Sequence, residues 1–213
     1  MNVIIICAAT ACGRIGPRLP GSGLDRRYLE KMRLETDASL MGANTMRLGD
    51  PEMRGPGGEM LENRIRAIIT GSGEIPVDGK RLFMEGYGPK PVIFTDLTKT
   101  SGLKERLAEK ATVLGLERGP FGLSIRGAIS ALAKLGTKSV LIEGGASLNY
   151  SALYEGVVNE LRLTITPRLS GEKGAPGLAC GPVPLGRPFL DMELLESRAE
   201  ETGEVFLRYK IKR

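Results

Sequence analysis

Two hydrophobic periods run through the chain. Residues 3–9 form a short, apolar, partly β-branched run that reads as a buried strand. Residues 24–35 follow helical spacing, with Leu24, Tyr28, Leu29 and Met32 on one face and charged residues opposite. Residues 123–135 repeat that pattern, with Ser124 placed to cap the start and Gly136 just past the end. Further strands are expected at 38–41, 65–70, 91–95, 111–116, 139–143 and 160–165, and further helices at 103–110 and 147–154. Gly and Pro concentrate in loops at 10–23, 50–58 and 171–188. Two strand-like stretches, 192–200 and 204–211, close the chain as a hairpin around Thr202 and Gly203. Strands alternate with helices for most of the length. That order predicts an α/β fold: a mostly parallel central sheet, helices on both faces and an antiparallel C-terminal edge. No repeat or linker interrupts it, so residues 1–213 are expected to form one domain.

Composition narrows the chemistry more than the fold. The 213 residues suffice for one substantial core, and 41% apolar with 26% charged residues is ordinary for a soluble protein. No apolar run approaches the length of a bilayer span. The start has no basic stretch and no cleavage site after it, so it reads as the first strand and not as a signal peptide. Cys7, Cys12 and Cys180 are odd in number and lack metal-pair spacing, which indicates neither a disulfide framework nor a zinc site. The cytoplasm is the expected compartment. The formal charge of +5 suits anionic small molecules, but basic residues are scattered among acidic ones and Trp is absent, so nucleic acid is not an expected partner. The chain has no His. A Ser-His-Asp triad and a His-containing zinc site are thereby excluded within it. Proton transfer falls to a carboxylate, Lys, Tyr, Cys, water or the substrate.

The sharpest local signal is the run from Val140 through Glu143, Gly144, Gly145, Ala146 and Ser147 to Asn149. It reads as a strand, a glycine pair and a helix start. Glycines let the backbone approach an anion with no Cβ in the way, and a helix start offers unpaired N–H groups with a partial positive charge. Phosphate or pyrophosphate is the natural guest, and Ser147 would cap the helix or bond a phosphate oxygen. The same stretch also serves as a plain tight connection, and it is not the G-x-G-x-x-G of a dinucleotide fold.

Residues 141–149, with 158–163, Thr166 and Pro167 downstream, resemble the riboflavin biosynthesis reductases. These are the C-terminal reductase domain of the bifunctional proteins and the stand-alone archaeal and fungal pyrimidine-phosphate reductases. Residues 34–45, Asp50 with Pro51, 66–70 and 91–95 match in the same order, so the likeness covers nearly the whole chain. The resemblance implies a dihydrofolate-reductase-like fold, a homodimer, and NADPH-dependent reduction of a ribosylamino-pyrimidine 5′-phosphate to the ribitylamino compound. The deaminase motifs of the bifunctional proteins are absent, which implies a stand-alone reductase. Carried over by position, Gly144, Gly145, Ala146 and Ser147 would hold the pyrophosphate. Asn44 and Thr45 would lie beside the nicotinamide, and Thr70 and Ser72 near the adenosine ribose and its 2′-phosphate. Glu143 and Asp50 would face the reacting pocket as the catalytic carboxylates.

The family carries Ser-Leu-Asp-Gly after its first strand, where this chain has Thr10, Ala11, Cys12 and Gly13. Cys12 therefore stands in the place of an aspartate at the substrate site. That departure keeps two other readings open: a dihydrofolate- or pterin-type reductase, and a nucleotide-binding relative that has lost the reaction. Arg54, Arg64, Lys80 and Arg81 read as solvated surface charges before phosphate partners. Free Cys12 reads as a small inert side chain before a nucleophile.

Overall fold

The first apolar run becomes β1 (Asn2–Thr10) in the computed structural model, which describes residues 1–16, 19 and 21–212. In chain order there follow α1 (Gly23–Leu34), β2 (Ala38–Gly42), α2 (Ala43–Leu48), β3 (Ile65–Thr70), β4 (Val92–Asp96), α3 (Thr100–Leu107), β5 (Thr112–Leu116), β6 (Arg118–Gly119), β7 (Gly122–Leu123), α4 (Ile125–Lys134), β8 (Ser139–Ile142), α5 (Ala146–Tyr154), β9 (Glu160–Thr166), β10 (Met192–Ala199) and β11 (Val205–Ile211). Part of the loop expected at 10–23 lies outside the described residues, at Pro17, Arg18 and Pro20.

Nine strands form one sheet in the order β10-β11-β9-β1-β8-β2-β3-β4-β5. The seven from β9 to β5 run parallel, while β11 pairs antiparallel with β9 and β10 with β11. Alternate residues of each strand face opposite sides. Val3 and Ile5 meet Leu40, Phe94, Val140 and Ile142 under α4 and α5. Ile4, Ile6 and Leu141 meet Met32 of α1 on the other side, and Met41, Ile68 and Ile93 pack there against Met46 of α2 and Leu103 and Leu107 of α3. Continuous apolar runs such as 140–142 follow from burial on both faces.

Caps decide several boundaries. Ser22 accepts from the Asp25 amide at 3.0 Å and starts α1; Ser124 accepts from the Gly127 amide at 3.0 Å and starts α4, as expected from the sequence. The third helix begins at Thr100 and not at 103. Asp96 accepts from the Thr98 amide at 3.0 Å and initiates a 3-10 turn (Leu97–Lys99) that runs straight into it. Two basic residues are also not where apolar spacing put them. Arg33 of α1 and Arg64 are 5% and 4% exposed, so neither belongs to a solvated face. No helix among the described residues is long and apolar enough to cross a membrane.

Candidate active site

The C-terminal ends of β1, β2, β3 and β8 open on one side of the sheet, where ligands of open parallel sheets bind. β8 ends in Gly144 and Gly145, with φ +94° and +99°, a backbone region that L side chains rarely adopt. A Cβ on Gly144 would meet nothing within 4 Å, and one on Gly145 would come no nearer than 3.9 Å to Leu148, so bare backbone fronts open space. Gly145 is the N-cap of α5, and no side chain caps that helix. The first α5 amides are unpaired within the helix and form a seat for an anion. The glycine pair therefore fits a pyrophosphate.

Two clefts meet at this seat. The inner one, of about 480 Å³, is walled by Ile6, Leu29 and Leu48 and also lined by Asn44, Thr45, Glu143, Gly144, Gly145 and Ala146. The outer one, of about 490 Å³, includes Asn44, Arg47, Thr70, Ser72, Gly145, Ala146 and Ser147. Asn44, Gly145, Ala146 and Pro176 border both. All eight residues expected at a cofactor thus line one continuous groove. Arg47 adds a cation that the sequence reading missed: it donates to Ser72 Oγ at 3.2 Å and to the Glu74 carbonyl at 2.8 Å. Its signal was the three-residue spacing from Asn44, which puts both on one face of α2.

The two expected catalytic carboxylates are otherwise engaged. Glu143 lines the inner cleft, but Arg33 binds both its oxygens, at 2.9 and 2.5 Å, and Ser39 donates to it as well. Burial alone would raise its pKa, yet Arg33, Ser39 and Arg64 together hold it below the ordinary carboxylate value. A carboxylate so held neither gives nor takes a proton readily. Asp50 stands outside both clefts. It accepts from the Arg81 amide at 3.1 Å and from Arg81 Nε at 2.9 Å.

The candidate phosphate cations are likewise occupied. Arg54 pairs with Glu52, Arg81 with Asp50 and Glu52, and Lys80 donates to the Gly49 carbonyl. Arg64 is buried against the Arg33 and Thr36 carbonyls and Ser39, and burial lowers its pKa to about 10. Asp25 is the acid that the sequence reading overlooked. It lines the inner cleft from the first turn of α1, and its signal was the Ser22-x-x-Asp25 capping pattern.

A third cleft of about 340 Å³ continues from the inner one through Ile15, Gly16 and Pro176 and is lined by Thr10, Arg14, Arg168 and Ser170. Cys12 is exposed beside it, its sulfur 3.2 Å from Thr10 Oγ1.

A family model of the RibD C-terminal domain matches residues 8–206. The 2,5-diamino-6-ribosylamino-4(3H)-pyrimidinone 5′-phosphate reductase of Methanothermobacter thermautotrophicus is 28% identical over 194 residues, covering 84% of this chain and 83% of that protein. Its namesake from Aquifex aeolicus is 31% identical over 160 residues, covering 73% of this chain and 67% of that protein. Among solved structures, a pyrimidine reductase-like protein from Corynebacterium diphtheriae superposes with a TM-score of 0.80 at 21% identity, covering 100% of this chain and 92% of its own. That identity speaks to the fold, which is the dihydrofolate-reductase-like one expected.

Proposed function

This chain belongs to the RibD C-terminal domain family, and from that premise we propose that it reduces a ribosylamino-pyrimidine 5′-phosphate to the ribitylamino compound with NADPH. The observation that carries the reading is the open glycine seat at the start of α5, set where the two clefts join. In this reading Gly144, Gly145, Ala146 and Ser147 hold the pyrophosphate. Asn44 and Thr45 orient the nicotinamide toward the inner cleft, and Thr70 and Ser72 receive the adenosine ribose in the outer one. Arg47, beside Ser72, favours a 2′-phosphate and so NADPH over NADH. A bound reduced nicotinamide supplies the hydride.

The protein supplies position. Ile6, Leu29 and Leu48 keep water from the reacting carbon, and near-attack placement removes much of the entropic barrier. The substrate phosphate lies toward Arg14 in the neighbouring cleft. Glu143 acts through Arg33, fixing the end of β8 that presents Gly144, and Asp50 steadies the segment after α2 through Arg81. An NADPH-dependent reductase with three free cysteines fits the cytoplasm. A homodimer built on the exposed strand β10 completes the reading.

The test is titration with NADPH and NADH, then addition of the diamino-pyrimidine ribosyl phosphate while nicotinamide absorbance is followed. Tighter binding of NADPH and loss of the reduced band on adding substrate are expected. Turnover of dihydrofolate in place of the pyrimidine phosphate, or binding with no turnover of either, would overturn the assignment.

A further inference from the structure

Among the described residues, three titratable side chains line the inner cleft: Cys7, Asp25 and Glu143. Glu143 is locked against Arg33. Burial, with Asp25 nearby, pushes the Cys7 thiol up to about 12, and its sulfur contacts the Ala8 carbonyl at 3.4 Å. Asp25 differs from both. Its backbone amide is fixed by Ser22 at 3.0 Å, so the helix start sets its position, and among the described residues no ion pair ties up its carboxyl group.

Burial raises the Asp25 pKa above the ordinary carboxylate value; Thr164 on β9 opposes the shift, and Glu204, before β11, adds to it. Among the described residues, the titratable groups coupled to Asp25 are Cys7 from β1 and Glu204, neither of which carries positive charge. The Thr164 hydroxyl is fully buried and, among the described residues, has no hydrogen-bond partner.

We propose that Asp25 is the acid of the reaction, delivering a proton to the sugar ring oxygen as the ring opens. The inference rests on the reductase reading above. The bond between C1 and the ring oxygen breaks, and the oxygen takes the Asp25 proton and becomes a hydroxyl. The lone pair of the exocyclic nitrogen forms a C=N bond to C1. A hydride from the dihydronicotinamide reduces that carbon, so one proton and one hydride enter the ribityl product. Asp25, left as the carboxylate, sits beside the cationic C=N group and regains its proton from water.

The step predicts a pH dependence. The acid form is the active one, so turnover is full below the raised pKa and falls as pH rises through it. Asp25→Asn keeps the shape and removes the proton; turnover should drop by about 100-fold or more, the range of general acid catalysis. NADPH affinity should fall far less than turnover, because Asp25 lines the inner cleft and not the outer one that receives the adenosine end in this reading. Asp25→Glu should recover part of the turnover together with its falling alkaline limb, which a purely structural carboxylate would not restore.

A second readout needs no turnover. In cofactor-free protein, 13C resonances of the Asp25 carboxyl should titrate above the ordinary aspartate value. An active wild type with an equally active Asp25→Asn variant would overturn the proposal, as would an Asp25 that titrates at or below the ordinary value. A wild type that binds NADPH but leaves the pyrimidine phosphate untouched would bring down the reductase reading first, and this one with it.

Discussion

At Gly144 the difference between a hydrogen atom and a methyl group separates an open seat from a blocked one. Its φ of +94° is strained for any L side chain, and a Cβ there would point into empty cleft. Gly144→Val should therefore weaken NADPH binding by at least about tenfold and cost roughly 1–3 kcal/mol of stability, the range for a forced backbone conformation. Fluorescence titration of NADPH and a thermal melt separate the two effects; unchanged affinity in a folded variant would mean the pyrophosphate sits elsewhere. Cys12 is the other telling residue. The Thr10 hydroxyl, followed by the backbone at Ser170, Gly171 and Arg14, draws the exposed thiol down to about 7, whereas desolvation holds the partly buried Cys7 at about 12. Iodoacetamide at pH 7.5 should then alkylate Cys12 well before Cys7, with a rate that climbs through about pH 7. Peptide mapping by mass spectrometry reads this directly, and comparable labelling of Cys7 would contradict it. A thiol drawn toward neutrality gives this position a partial negative charge.

At the scale of elements, α1, β2 and β8 are tied together by charge as well as by apolar packing. Arg33 of α1 reaches Glu143 after β8, Ser39 of β2 donates to the same carboxylate, and Arg64 closes the network on Ser39 and the Thr36 carbonyl. Removing one partner of a buried pair strands the other, so Glu143→Gln should cost about 3–5 kcal/mol. The Glu143 pKa is depressed in the folded chain, so its contribution is complete above the ordinary value of 4.5 and is lost as pH falls through the lower, folded value. Denaturant melts should show wild-type stability declining below about pH 4.5, and Glu143→Gln should show a shallower decline. Equal slopes would remove Glu143 from the account.

The same network marks the limit of what the sequence discloses. Stretches such as 3–6 and 140–142 are legible because burial on both faces forces unbroken apolar runs. The Gly144–Gly145 seat is legible because positive φ requires glycine. Arg33 and Arg64 are not, because a charged residue is ordinarily exposed and only its distant partner makes burial affordable. Asp25 and Arg47 are hidden for a related reason: their place in the groove depends on how α1 and α2 pack, which a local pattern does not encode.

At the scale of the whole molecule, the sheet is finished on one side and bare on the other. The β5 edge is short, whereas β10 is an eight-residue edge strand whose every residue is exposed. Met192, Leu194 and Leu195 are 42%, 53% and 42% exposed, and Phe189 just before the strand is 81% exposed. An edge of that length, with Met192, Leu194 and Leu195 among its charged residues, invites pairing unless something covers it. A second copy of the chain is the simplest cover, and a two-fold contact would bury the same patch on both partners. Sedimentation equilibrium should give twice the 22.9 kDa chain mass at micromolar concentration. Leu194→Glu combined with Leu195→Glu should give the single-chain mass. Both side chains are already half in solvent, so the double variant should keep its melting temperature as a monomer within a few degrees of that expected for the isolated fold. A single-chain mass for the wild type would leave β10 without this role. A dimer that survives the double substitution would place the contact on another face.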